Sequence, residues 1–499
     1  MKEIQLKNNC SGNGAQTDYT KLPAEDYHYK KVCSYIEDVP DDDYKKAGLE
    51  ARESFKDIKY AVRIHWGIYS MICQQEESWP YLKMTNEQKE DYNQLYKKFC
   101  PHGFDADEWM DFFKSAGFKA FAFTTKHHEG FSMFDTKAKV KERINWTAPG
   151  GPRLEECDLS YSVAETPFGR DIVKELCDSA HKSGMKIDLY FSHPDWYDAD
   201  FRPYNYHPMM TPDAKELLIE GEMGEVVERH GKEPFIGPML KDEQKKRMVE
   251  RHRLQLEELL TNYGKIDMIC LDQWMGPEIW PEMKKTIKKL RKIQPDVMLR
   301  ARGIGNYGDF YTPEGFVPGS KENTNMPWMV IYPLASSFSF DPETKNYKDA
   351  HWIMRNLIDS VAKGGSFMVG IGPDKEGRWH PKAVEELQKV GSWLKTNGQA
   401  IYDTREREGL LYKEGDDLFY TRSKEGDVIY SILISGLKEK LTLNTVTPRE
   451  GSKIYLIGYE TPLSWQHGND GETIIDISKE AAAGLDIDND LAYVFKIEV

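Results

Sequence analysis

Polar and ionisable residues follow five successive apolar runs of the sequence, each group standing where its run ends. The groups are His65-Trp66-Gly67, residues 124–131 (TTKHHEGF), residues 192–196 (SHPDW), Asp272-Gln273-Trp274, and Arg302 with the following residues 308–314 (GDFYTPE). If the runs are parallel strands of a barrel, their carboxyl ends share one rim, which is where such folds place an active site. The spacing therefore predicts that imidazole, indole, guanidinium and carboxylate groups meet in one place.

A pair of carboxyl groups among sugar-compatible side chains suits glycoside hydrolysis. In its retaining form, one carboxylate attacks the anomeric carbon, and a second carboxyl group, kept protonated by its surroundings, protonates the leaving oxygen. Asp272 directly follows the apolar residues MICL. A carboxylate at the rim of an apolar core costs free energy unless it is used or well paired. Asp272 is thus a candidate functional carboxylate, with a structural carboxylate as the competing interpretation.

Two other chemistries are disfavoured by the motifs. His127, His128 and Glu129 could form a metal cluster, but neighbouring strand residues point to opposite faces, so both imidazoles would reach one ion only beyond the strand. The sequence has neither an HExxH motif nor a clean set of three ligands. The GxSxG turn of a serine hydrolase is also absent from the sequence. We expect no metal and no cofactor.

The elements that must position these residues alternate between short apolar runs and amphipathic stretches. Strands are predicted at residues 60–65, 119–125, 186–192, 266–272, 297–302, 329–334 and 366–371, and helices at 105–117, 169–184, 243–262 and 281–293. Apolar strands alternating with helices indicate a parallel sheet buried on both faces. Seven strands over about 310 residues favour a (β/α)8-like barrel over an open sheet.

The pattern of polar and apolar residues changes on both sides of this region. After residue 405, runs with a period of two (LFYTR, VIYSILIS, AYVFKIEV) alternate with turn residues, which predicts an antiparallel β-sandwich. The polar N-terminal stretch predicts an extension with one or two helices. We expect an extension at residues 1–57, a barrel at 58–405 and a sandwich at 406–499. No Gly/Ser linker separates the last two, so we expect them to pack together.

Composition narrows the classes of partner. The formal net charge of −15 disfavours nucleic acid or an anionic membrane surface. No run of about 18 apolar residues predicts a membrane span, and the N-terminal residues MKEIQLKNNCSGNG lack the apolar region of a signal peptide. Seven scattered cysteines without a CxxC motif indicate free thiols rather than a disulfide framework or a zinc site.

Six ordered motifs resemble glycoside hydrolase family 29, the α-L-fucosidases. They are RIHWGIYS (63–70), TTKHHEGFSMFDTK (124–137), TPFGRDIVKEL (166–176), LYFSHPDW (189–196), GGSFMVGIGPDKEGRW (364–379) and VGSWLKTNGQAIYDTR (390–405), of which the second is the most specific. The resemblance covers about residues 58–405. It implies a retaining exo-glycosidase with a barrel and a β-sandwich, which acts without a cofactor on an oligosaccharide or polysaccharide ending in α-L-fucose. Because members acting on polymers are usually exported, it favours the periplasm or secretion.

The resemblance also implies roles by position. Asp272 matches the nucleophile at the end of the fourth strand. The implied sugar-binding residues are His65, Trp79, His127, His128, Tyr190 and Arg302, to which His193 is added because it follows the third predicted strand. The acid/base is expected at Glu314, in the segment GDFYTPE. Other members place it after a later Pro-Trp, where this chain has Met329, which cannot donate a proton; the remaining candidates are Glu77, Glu322 and Asp195.

Three positions depart from the family pattern. Cys270 replaces a Trp two residues before the nucleophile, Gln273 replaces a Gly, and Ser78 replaces an acidic residue before the Trp at position 79. A small Cys could leave room for a larger C5 substituent than the methyl of fucose, so α-L-galactose is an alternative terminal sugar. One wall contact changes discrimination by only about 1–3 kcal/mol, so the sequence leaves both sugars open. A catalytically impaired L-sugar-binding protein is a further alternative.

Overall fold

The computed structural model describes residues 29, 32–72, 76–202, 207–208, 241–315, 317, 326–344, 346–409, 411–477 and 491–499. The helices are α1 Leu49–Lys56, α2 Asn86–Asn93, α3 Ala106–Ser115, α4 Ile172–Ser183, α5 Asp242–Thr261, α6 Trp280–Ile293, α7 Ala350–Ala362 and α8 Pro381–Asn397. The strands up to the end of the barrel are β1 Tyr60–Ile64, β2 Ala120–Lys126, β3 Glu142–Asn145, β4 Arg153–Glu156, β5 Lys186–Ser192, β6 Met268–Asp272, β7 Met298–Leu299, β8 Met329–Pro333 and β9 Ser366–Ile371. Strands β3 and β4 form a separate antiparallel hairpin that was not predicted.

A seven-stranded parallel sheet in the order β7-β6-β5-β2-β1-β9-β8 forms the centre of the fold. Strands β1, β2, β6 and β9 are buried along their whole length, as the predicted two-sided burial requires. The strands of this sheet lie at the seven predicted positions, and α3 to α6 lie at the four predicted helices. The alternation of apolar runs with amphipathic stretches thus located the main elements.

Capping side chains set the ends of the helices that follow these strands. The carboxylate of Asp105 accepts a hydrogen bond from the backbone N–H of Glu108 (3.0 Å) at the start of α3. Asp171 does the same for Lys174 (2.9 Å) at the start of α4, and Gly184 ends that helix at a φ of 69°. Such caps satisfy backbone groups that have no partner within the helix, which fixes where each helix begins and ends.

An extended segment at residues 309–315 closes the sheet between β7 and β8. On one side, Asp309 donates its backbone N–H to the carbonyl oxygen of Leu299 (2.7 Å). On the other side, Ile331 donates to the carbonyl oxygen of Pro313 (3.0 Å). The segment takes the place of an eighth strand, so the extended segments follow one another around the barrel in chain order. The predicted (β/α)8-like fold is therefore confirmed, although this segment was not predicted as a strand.

Strand β7 is shorter than the strand predicted at residues 297–302. After Leu299 the chain turns through the 3-10 helix Gly305–Tyr307 and folds back, so that Ala301 donates its backbone N–H to the carbonyl oxygen of Phe310 (2.8 Å). Arg302 therefore lies beyond the ladder of β7. Apolar periodicity overestimated the length of this strand, because the pattern contains no signal for the reversal of the chain.

The N-terminal extension packs against this closing segment. The phenol of Tyr44 donates to the carbonyl oxygen of Tyr307 (2.6 Å), and the backbone N–H of Ala47 donates to the carboxylate of Asp309 (2.9 Å). Helix α1 is the helix longer than one turn that the structure describes within residues 1–57. The extension thus supports the part of the barrel where the ladder is least regular.

Two antiparallel sheets follow the barrel. Their strands are β10 Lys413–Glu414, β11 Leu418–Arg422, β12 Val428–Leu433, β13 Lys440–Leu443, β14 Ile454–Leu456, β15 Ser464–His467, β16 Thr473–Asp476 and β17 Tyr493–Glu498. The sheet orders are β10-β11-β12-β17-β14 and β13-β16-β15, with a shared apolar core, so the predicted sandwich is confirmed. The buried Trp393 of α8 donates its indole N–H to the carbonyl oxygen of Ala492 (2.8 Å), which ties the sandwich to the barrel.

Two sequence expectations concern features outside the sheets. Among the described helices, none is both long enough and apolar enough to cross a membrane. The cysteines that the structure describes are free thiols, namely Cys33, Cys100, Cys157, Cys177 and Cys270. Cys10 and Cys73 lie outside the described residues.

Candidate active site

Asp272 ends β6, and different side chains hold its two carboxylate oxygens. The guanidinium of Arg302 donates to Oδ1 (2.8 Å), and the phenol of Tyr190 donates to Oδ2 (2.7 Å). The imidazole Nε2 of His128 lies 3.8 Å from Oδ2. The Asp272 side chain is 10% exposed, so one small part of it faces the rim. These contacts orient a carboxylate as a nucleophile requires.

Glu314 brings a second carboxylate to the same guanidinium. Nη1 of Arg302 lies 2.8 Å from Oε1 of Glu314 and 2.8 Å from Oδ1 of Asp272. The two carboxylate oxygens therefore lie no more than about 5.6 Å apart, a limit that is compatible with the ~5–5.5 Å separation of a retaining glycosidase. Arg300 adds a second contact to Glu314 (3.1 Å), whose side chain is 32% exposed. This upper limit allows double displacement.

Three imidazoles and an indole surround the carboxylates. The rings of His127 and His128 lie 4.2 Å apart between centroids, just beyond the last residue of β2, and His65 lies 6.0 Å from His127. Trp79 contacts the ring of His128 at 4.7 Å. The hydroxyl of Ser78 is 2.5 Å from Nδ1 of His127, which fixes that ring. The structure therefore brings these predicted site residues together.

Burial keeps these rings uncharged. Burial lowers the pKa of His128 to about 4, against the opposing effect of the Asp272 carboxylate. It holds the pKa of His65 and of His127 well below the usual range, with Arg63 adding to the effect at His65. Burial and the Asp272 charge raise the pKa of Tyr190 well above its usual value. The site thus offers neutral donors and acceptors, which suit the hydroxyls of a sugar.

Comparison with known proteins places this geometry in a family. Residues 38–399 match the family model described as Alpha-L-fucosidase. The chain belongs to the α-L-fucosidase family. Members of this family are glycoside hydrolases, and the predicted family assignment is confirmed.

Individual relatives are distant but match over most of their length. Human (Homo sapiens) tissue alpha-L-fucosidase is 25% identical over 449 residues, covering 85% of this chain and 84% of the relative. Human plasma alpha-L-fucosidase is 24% identical over 449 residues, covering 84% of each. These relatives therefore match this chain over most of its length.

Solved structures share the fold. Alpha-L-fucosidase isoenzyme 1 from Paenibacillus thiaminolyticus has a TM-score of 0.70 at 24% identity and covers 90% of this chain and 99% of its own. A Bacteroides thetaiotaomicron alpha-L-fucosidase, solved as a trapped covalent intermediate with 2-fluoro-fucosyl fluoride, has a TM-score of 0.69 at 20% identity, with coverages of 91% and 97%. The barrel followed by a sandwich is thus the architecture of this family.

His193 lies behind Asp272 and has no accessible surface. Its backbone N–H donates to the carbonyl oxygen of Asp272 (3.0 Å), and its Nδ1 lies 3.0 Å from Nε2 of His252. Burial lowers its pKa to about 3. The backbone of His193 thus supports the end of β6, while its side chain pairs with His252 and has no surface for a ligand in this conformation.

Asp195 is also fully buried and is committed to ion pairs. Its Oδ2 lies 2.5 Å from the guanidinium of Arg251 and 3.4 Å from the ammonium of Lys126. The backbone N–H of Tyr197 donates to its Oδ1 (3.1 Å). A carboxylate held in this way has no free oxygen for proton transfer. Glu322, another acid/base candidate, lies outside the described residues.

Glu77 is a third carboxyl group on the loop that carries Trp79. Its Oε1 accepts a hydrogen bond from the backbone N–H of Ser339 (2.9 Å). Burial raises its pKa to about 7, so a large share of this group is protonated at neutral pH. Protonation is what an acid catalyst needs, so Glu77 stays a competitor of Glu314 on electrostatic grounds. Met329 is buried within β8.

A layer of ionisable residues that sequence reasoning missed lies beneath the site. Each member stands two positions before a site residue in the sequence, and on β5 and β6 both residues of the pair lie on the strand, where side chains two apart share a face. The members of this charged layer are Arg63, Asp188, Cys270 and Arg300, which precede His65, Tyr190, Asp272 and Arg302. The period-two spacing was the available signal, since charges inside apolar runs stand out.

Cys270 lies at the centre of this charged layer. Its sulfur accepts hydrogen bonds from Arg300 (3.1 Å) and from Arg63 (3.5 Å), and the thiol is buried. The expectation that a small Cys leaves open room is therefore wrong for this conformation, because two guanidinium groups fill the space. The floor of the site is charged at the place where the family pattern has an aromatic ring.

The loop that follows β8 completes the site. Phe338 stacks on His65 with ring centroids 4.9 Å apart. It fits there because Gly370 of β9 has no side chain, and a Cβ at that position would overlap the Phe338 ring.

Within the described ranges, no group of three or more His, Cys, Asp and Glu side chains is arranged to hold a metal ion. The two neighbouring imidazoles point to different groups, since His127 contacts the hydroxyl of Ser78 and His128 lies near the carboxylate of Asp272.

Proposed function

We propose that this protein is a retaining exo-glycosidase that releases terminal α-L-fucosyl residues from glycans, with Asp272 as nucleophile and Glu314 as acid/base. The observation that carries the proposal is the pair of carboxylates on Arg302, each 2.8 Å from the same nitrogen. Family membership supports it, as does the trapped covalent intermediate reported for the Bacteroides relative.

In the first step, a carboxylate oxygen of Asp272 attacks the anomeric carbon. The glycosidic C–O bond breaks, its electron pair goes to the leaving oxygen, and that oxygen takes the proton of Glu314. The result is a glycosyl ester on Asp272 and an ionised Glu314. Tyr190 and Arg302 keep Asp272 in place before attack, since each donates to one of its oxygens.

In the second step, water takes the place of the departed group. Glu314 removes a proton from the water as the water oxygen bonds to the anomeric carbon, and the ester bond to Asp272 breaks. The sugar leaves with its original anomeric configuration. For the first step, Glu314 must be protonated, whereas contact with two guanidinium groups favours its charged form. A bound substrate must therefore draw Glu314 away from Arg300 and Arg302.

The roles proposed for the other residues follow from their place around the carboxylates. We assign His65, His127, His128 and Arg302 to the sugar hydroxyls, and the ring of Trp79 to an apolar face of the sugar. His193 supports Asp272 from behind. The terminal sugar has a second candidate, α-L-galactose, which the polar surroundings of Cys270 favour because they offer no apolar wall to a methyl group.

The test is hydrolysis of an aryl α-L-fucoside followed by proton NMR, with the matching α-L-galactoside in parallel. We expect the α-anomer of the sugar to form first and the β-anomer to follow only by mutarotation. First release of the β-anomer would contradict the retaining mechanism. Binding of L-sugars without release from either glycoside would instead support the sugar-binding alternative.

A further inference from the structure

Glu129 is a buried carboxyl group that the proposed mechanism does not use. It follows His128 in the segment just beyond β2, and only 2% of its side chain is exposed. Neither oxygen of its carboxyl group has a hydrogen-bond partner among the described residues. Buried polar groups of proteins nearly always have such a partner, so this carboxyl group needs a physical explanation.

The carboxyl group of Glu129 lies beside one nitrogen of His127. Its Oε2 is 3.7 Å from Nδ1 of His127, and the hydroxyl of Ser78 is 2.5 Å from the same nitrogen. Burial raises the pKa of Glu129 to about 8, and the nearby Ser78 hydroxyl is among the groups that oppose this effect. Hydrogen bonds around an empty site are often long and shorten when the ligand binds. Glu129, Ser78 and His127 thus form a polar relay that ends at the imidazole.

The other nitrogen of this imidazole, Nε2, is the one left for a ligand. Nδ1 is occupied by Ser78, and the His127 ring packs on that of Tyr190, the phenol that holds the carboxylate of Asp272. Burial holds the pKa of His127 well below its usual range, so the ring is neutral and carries one N–H. The position of that hydrogen decides whether Nε2 donates or accepts a hydrogen bond.

The protonation state of Glu129 selects this position. A protonated Glu129 donates to the Ser78 oxygen, the Ser78 hydroxyl donates to Nδ1, and the imidazole hydrogen is on Nε2. An ionised Glu129 can only accept. The Ser78 hydroxyl then donates to Glu129, the imidazole donates to Ser78 from Nδ1, and Nε2 becomes an acceptor. One proton passes to the solvent between the two arrangements, and the imidazole stays neutral in both.

The groups that face Glu129 leave it protonated at neutral pH. Asp195 adds to the effect of burial on the pKa of Glu129, and Lys126 opposes it, but Lys126 is paired with Asp195. Glu77 lies in the same neighbourhood, since it and Glu129 both raise the pKa of Tyr69. Three phenols around Glu129 have a pKa well above the usual value and are uncharged, namely Tyr69 of the 3-10 helix Ile68–Ile72, Tyr92 of α2 and Tyr161.

We infer that protonated Glu129 is a positioning residue, which acts through Ser78 to hold His127 with its hydrogen on Nε2, and that this N–H donates to a hydroxyl oxygen of the terminal sugar. The inference rests on the proposed glycosidase function. It also gives a reason for Ser78, which stands where the family pattern has an acidic residue. A hydroxyl can accept from Glu129 and donate to His127, whereas an ionised carboxylate at position 78 could only accept and would fix the opposite tautomer.

The first experiment measures the binding of L-fucose and of L-galactose by calorimetry between about pH 6.5 and 9.5. The wild type should lose at least about 10-fold in affinity over this range, because Nε2 stops donating. Glu129→Leu should bind about 10-fold more weakly already at the lower pH, and Glu129→Gln should recover most of this loss, since the amide also donates. The amide cannot ionise, so affinity in Glu129→Gln should not fall with pH.

The comparison of the wild type with Glu129→Gln isolates Glu129, because Lys126 and Glu77 titrate in both proteins. Glu385→Gln is the control, since it alters an exposed carboxylate that contacts Lys389 (2.7 Å), and it should follow the wild type. An equal fall in the wild type and in Glu129→Gln, or no fall in the wild type, would overturn the inference. If the wild type neither binds these sugars nor releases them from dinitrophenyl glycosides, the glycosidase proposal itself fails.

Ser78→Ala tests the link in the middle of the relay and does not depend on how Glu129→Leu folds. It should weaken binding about 10-fold and remove the dependence on pH. Adding Glu129→Gln to Ser78→Ala should then change nothing further, because residues of one network are not additive. An additive effect of the two substitutions would contradict the relay.

Nitrogen-15 NMR of histidine-labelled protein observes the tautomer itself, with the His127 signals assigned by their loss in His127→Gln. Nδ1 of His127 should lack a hydrogen at about pH 6.5 and carry one at about pH 9.5 in the wild type, and it should lack one at both values in Glu129→Gln. A purely structural role of Glu129 would leave this signal unchanged. A hydrogen on Nδ1 at both pH values in the wild type would overturn the inference.

Discussion

Tyr190 and Arg302 donate to different oxygens of Asp272, so the carboxylate can neither rotate nor leave its place without losing a charge-assisted hydrogen bond. Such bonds in a buried site are among the stronger ones in proteins. The orientation of Asp272 is therefore fixed before substrate arrives. This fixed orientation suits the role of nucleophile that we propose for Asp272.

Replacing Asp272 tests this assignment directly. Asp272→Asn should lower kcat on the best aryl glycoside at least about 1,000-fold, because the amide is too weak a nucleophile to form the covalent intermediate. Asp272→Gly with added azide should recover activity and yield the β-linked glycosyl azide, seen by NMR. The matched control is Asp158→Asn, which alters an exposed carboxylate paired with Lys141. Turnover of Asp272→Asn close to the wild-type value would remove Asp272 from its role.

The dependence of activity on the leaving group shows whether Glu314 or Glu77 is the acid/base. Glu314→Ala should lower kcat/KM by about 100- to 10,000-fold for alkyl aglycones that need protonation, and much less for dinitrophenyl aglycones that do not. Glu77→Gln keeps the shape of an uncharged carboxyl group, so it should affect both classes of aglycone equally. The measurement is a plot of log kcat/KM against aglycone pKa. A steep slope that arises in Glu77→Gln but not in Glu314→Ala would reverse the assignment.

The sequence located most of the site, for a physical reason. His65, His128 and Asp272 lie at or just beyond the ends of strands, and the ends of parallel strands must meet at one rim. The charged layer escaped prediction because Arg63 and Asp188 lie inside apolar runs, where the pattern indicates only a buried strand. The partner of a buried charge comes from another strand, and single-strand periodicity does not reveal it.

The closing segment at residues 309–315 is an element of the barrel that the sequence pattern did not predict. Its residues are largely polar, and Pro313 lacks the N–H that a regular strand donates to its neighbour. It pairs with β7 and β8 through isolated bridges instead of a ladder. The apolar-run criterion therefore found the strands with continuous pairing and missed the one built from separate hydrogen bonds.

Gly308 controls how closely this segment approaches the rest of the barrel. A Cβ at Gly308 would overlap the backbone of Ala301, so Gly308→Ala must push the segment outward and displace Glu314 with it. We expect the free energy of unfolding to fall by about 1–3 kcal/mol, as in other overpacked sites. Hydrolysis of substrates with poor leaving groups should fall more than hydrolysis of dinitrophenyl glycosides.

Urea unfolding and the two classes of substrate provide the measurement for Gly308→Ala. Gly436→Ala is the control, because nothing lies within 4 Å of a Cβ at Gly436. Wild-type stability and activity in Gly308→Ala would mean that the segment does not need this close approach.

Buried ionisable groups throughout the chain set how stability depends on pH. Burial raises the pKa of Glu129 to about 8, and those of Glu77 and Asp188 to about 7. The unfolded chain ionises such groups from about pH 4, so their contribution to the free energy of unfolding is full below that pH. The contribution is lost as the pH rises towards 8.

Buried imidazoles have the opposite effect. Burial lowers the pKa of His128 to about 4 and that of His193 to about 3. The same direction holds for the other buried imidazoles of the described residues, namely His65, His127, His207 and His252. The unfolded chain binds protons at these positions below about pH 6.5, so the free energy of unfolding falls as the pH decreases from there.

The two effects together predict a stability maximum near pH 6.5. Below it the six imidazoles outnumber the four carboxyl groups whose pKa burial raises to about 7 or 8, namely Glu77, Glu129, Asp188 and Asp198, and above it the carboxyl groups act alone. The melting temperature measured at about pH 5, 6.5 and 8 should be highest at the middle value. Glu129→Gln should flatten the alkaline side, because the amide has no proton to lose. A melting temperature that rises steadily from pH 6.5 to 8 in the wild type would contradict this account.

The barrel supports the two carboxylates of the proposed mechanism unequally. Asp272 stands on β6, which is paired with neighbouring strands on both sides, whereas Glu314 stands on a segment held by isolated bridges. Substitutions around Asp272 would therefore disturb the pairing of the whole sheet. Substitutions around Glu314 would alter only the closing segment and its contacts with β7 and β8. The proposed proton donor could therefore change its position with less damage to the barrel than the proposed nucleophile could.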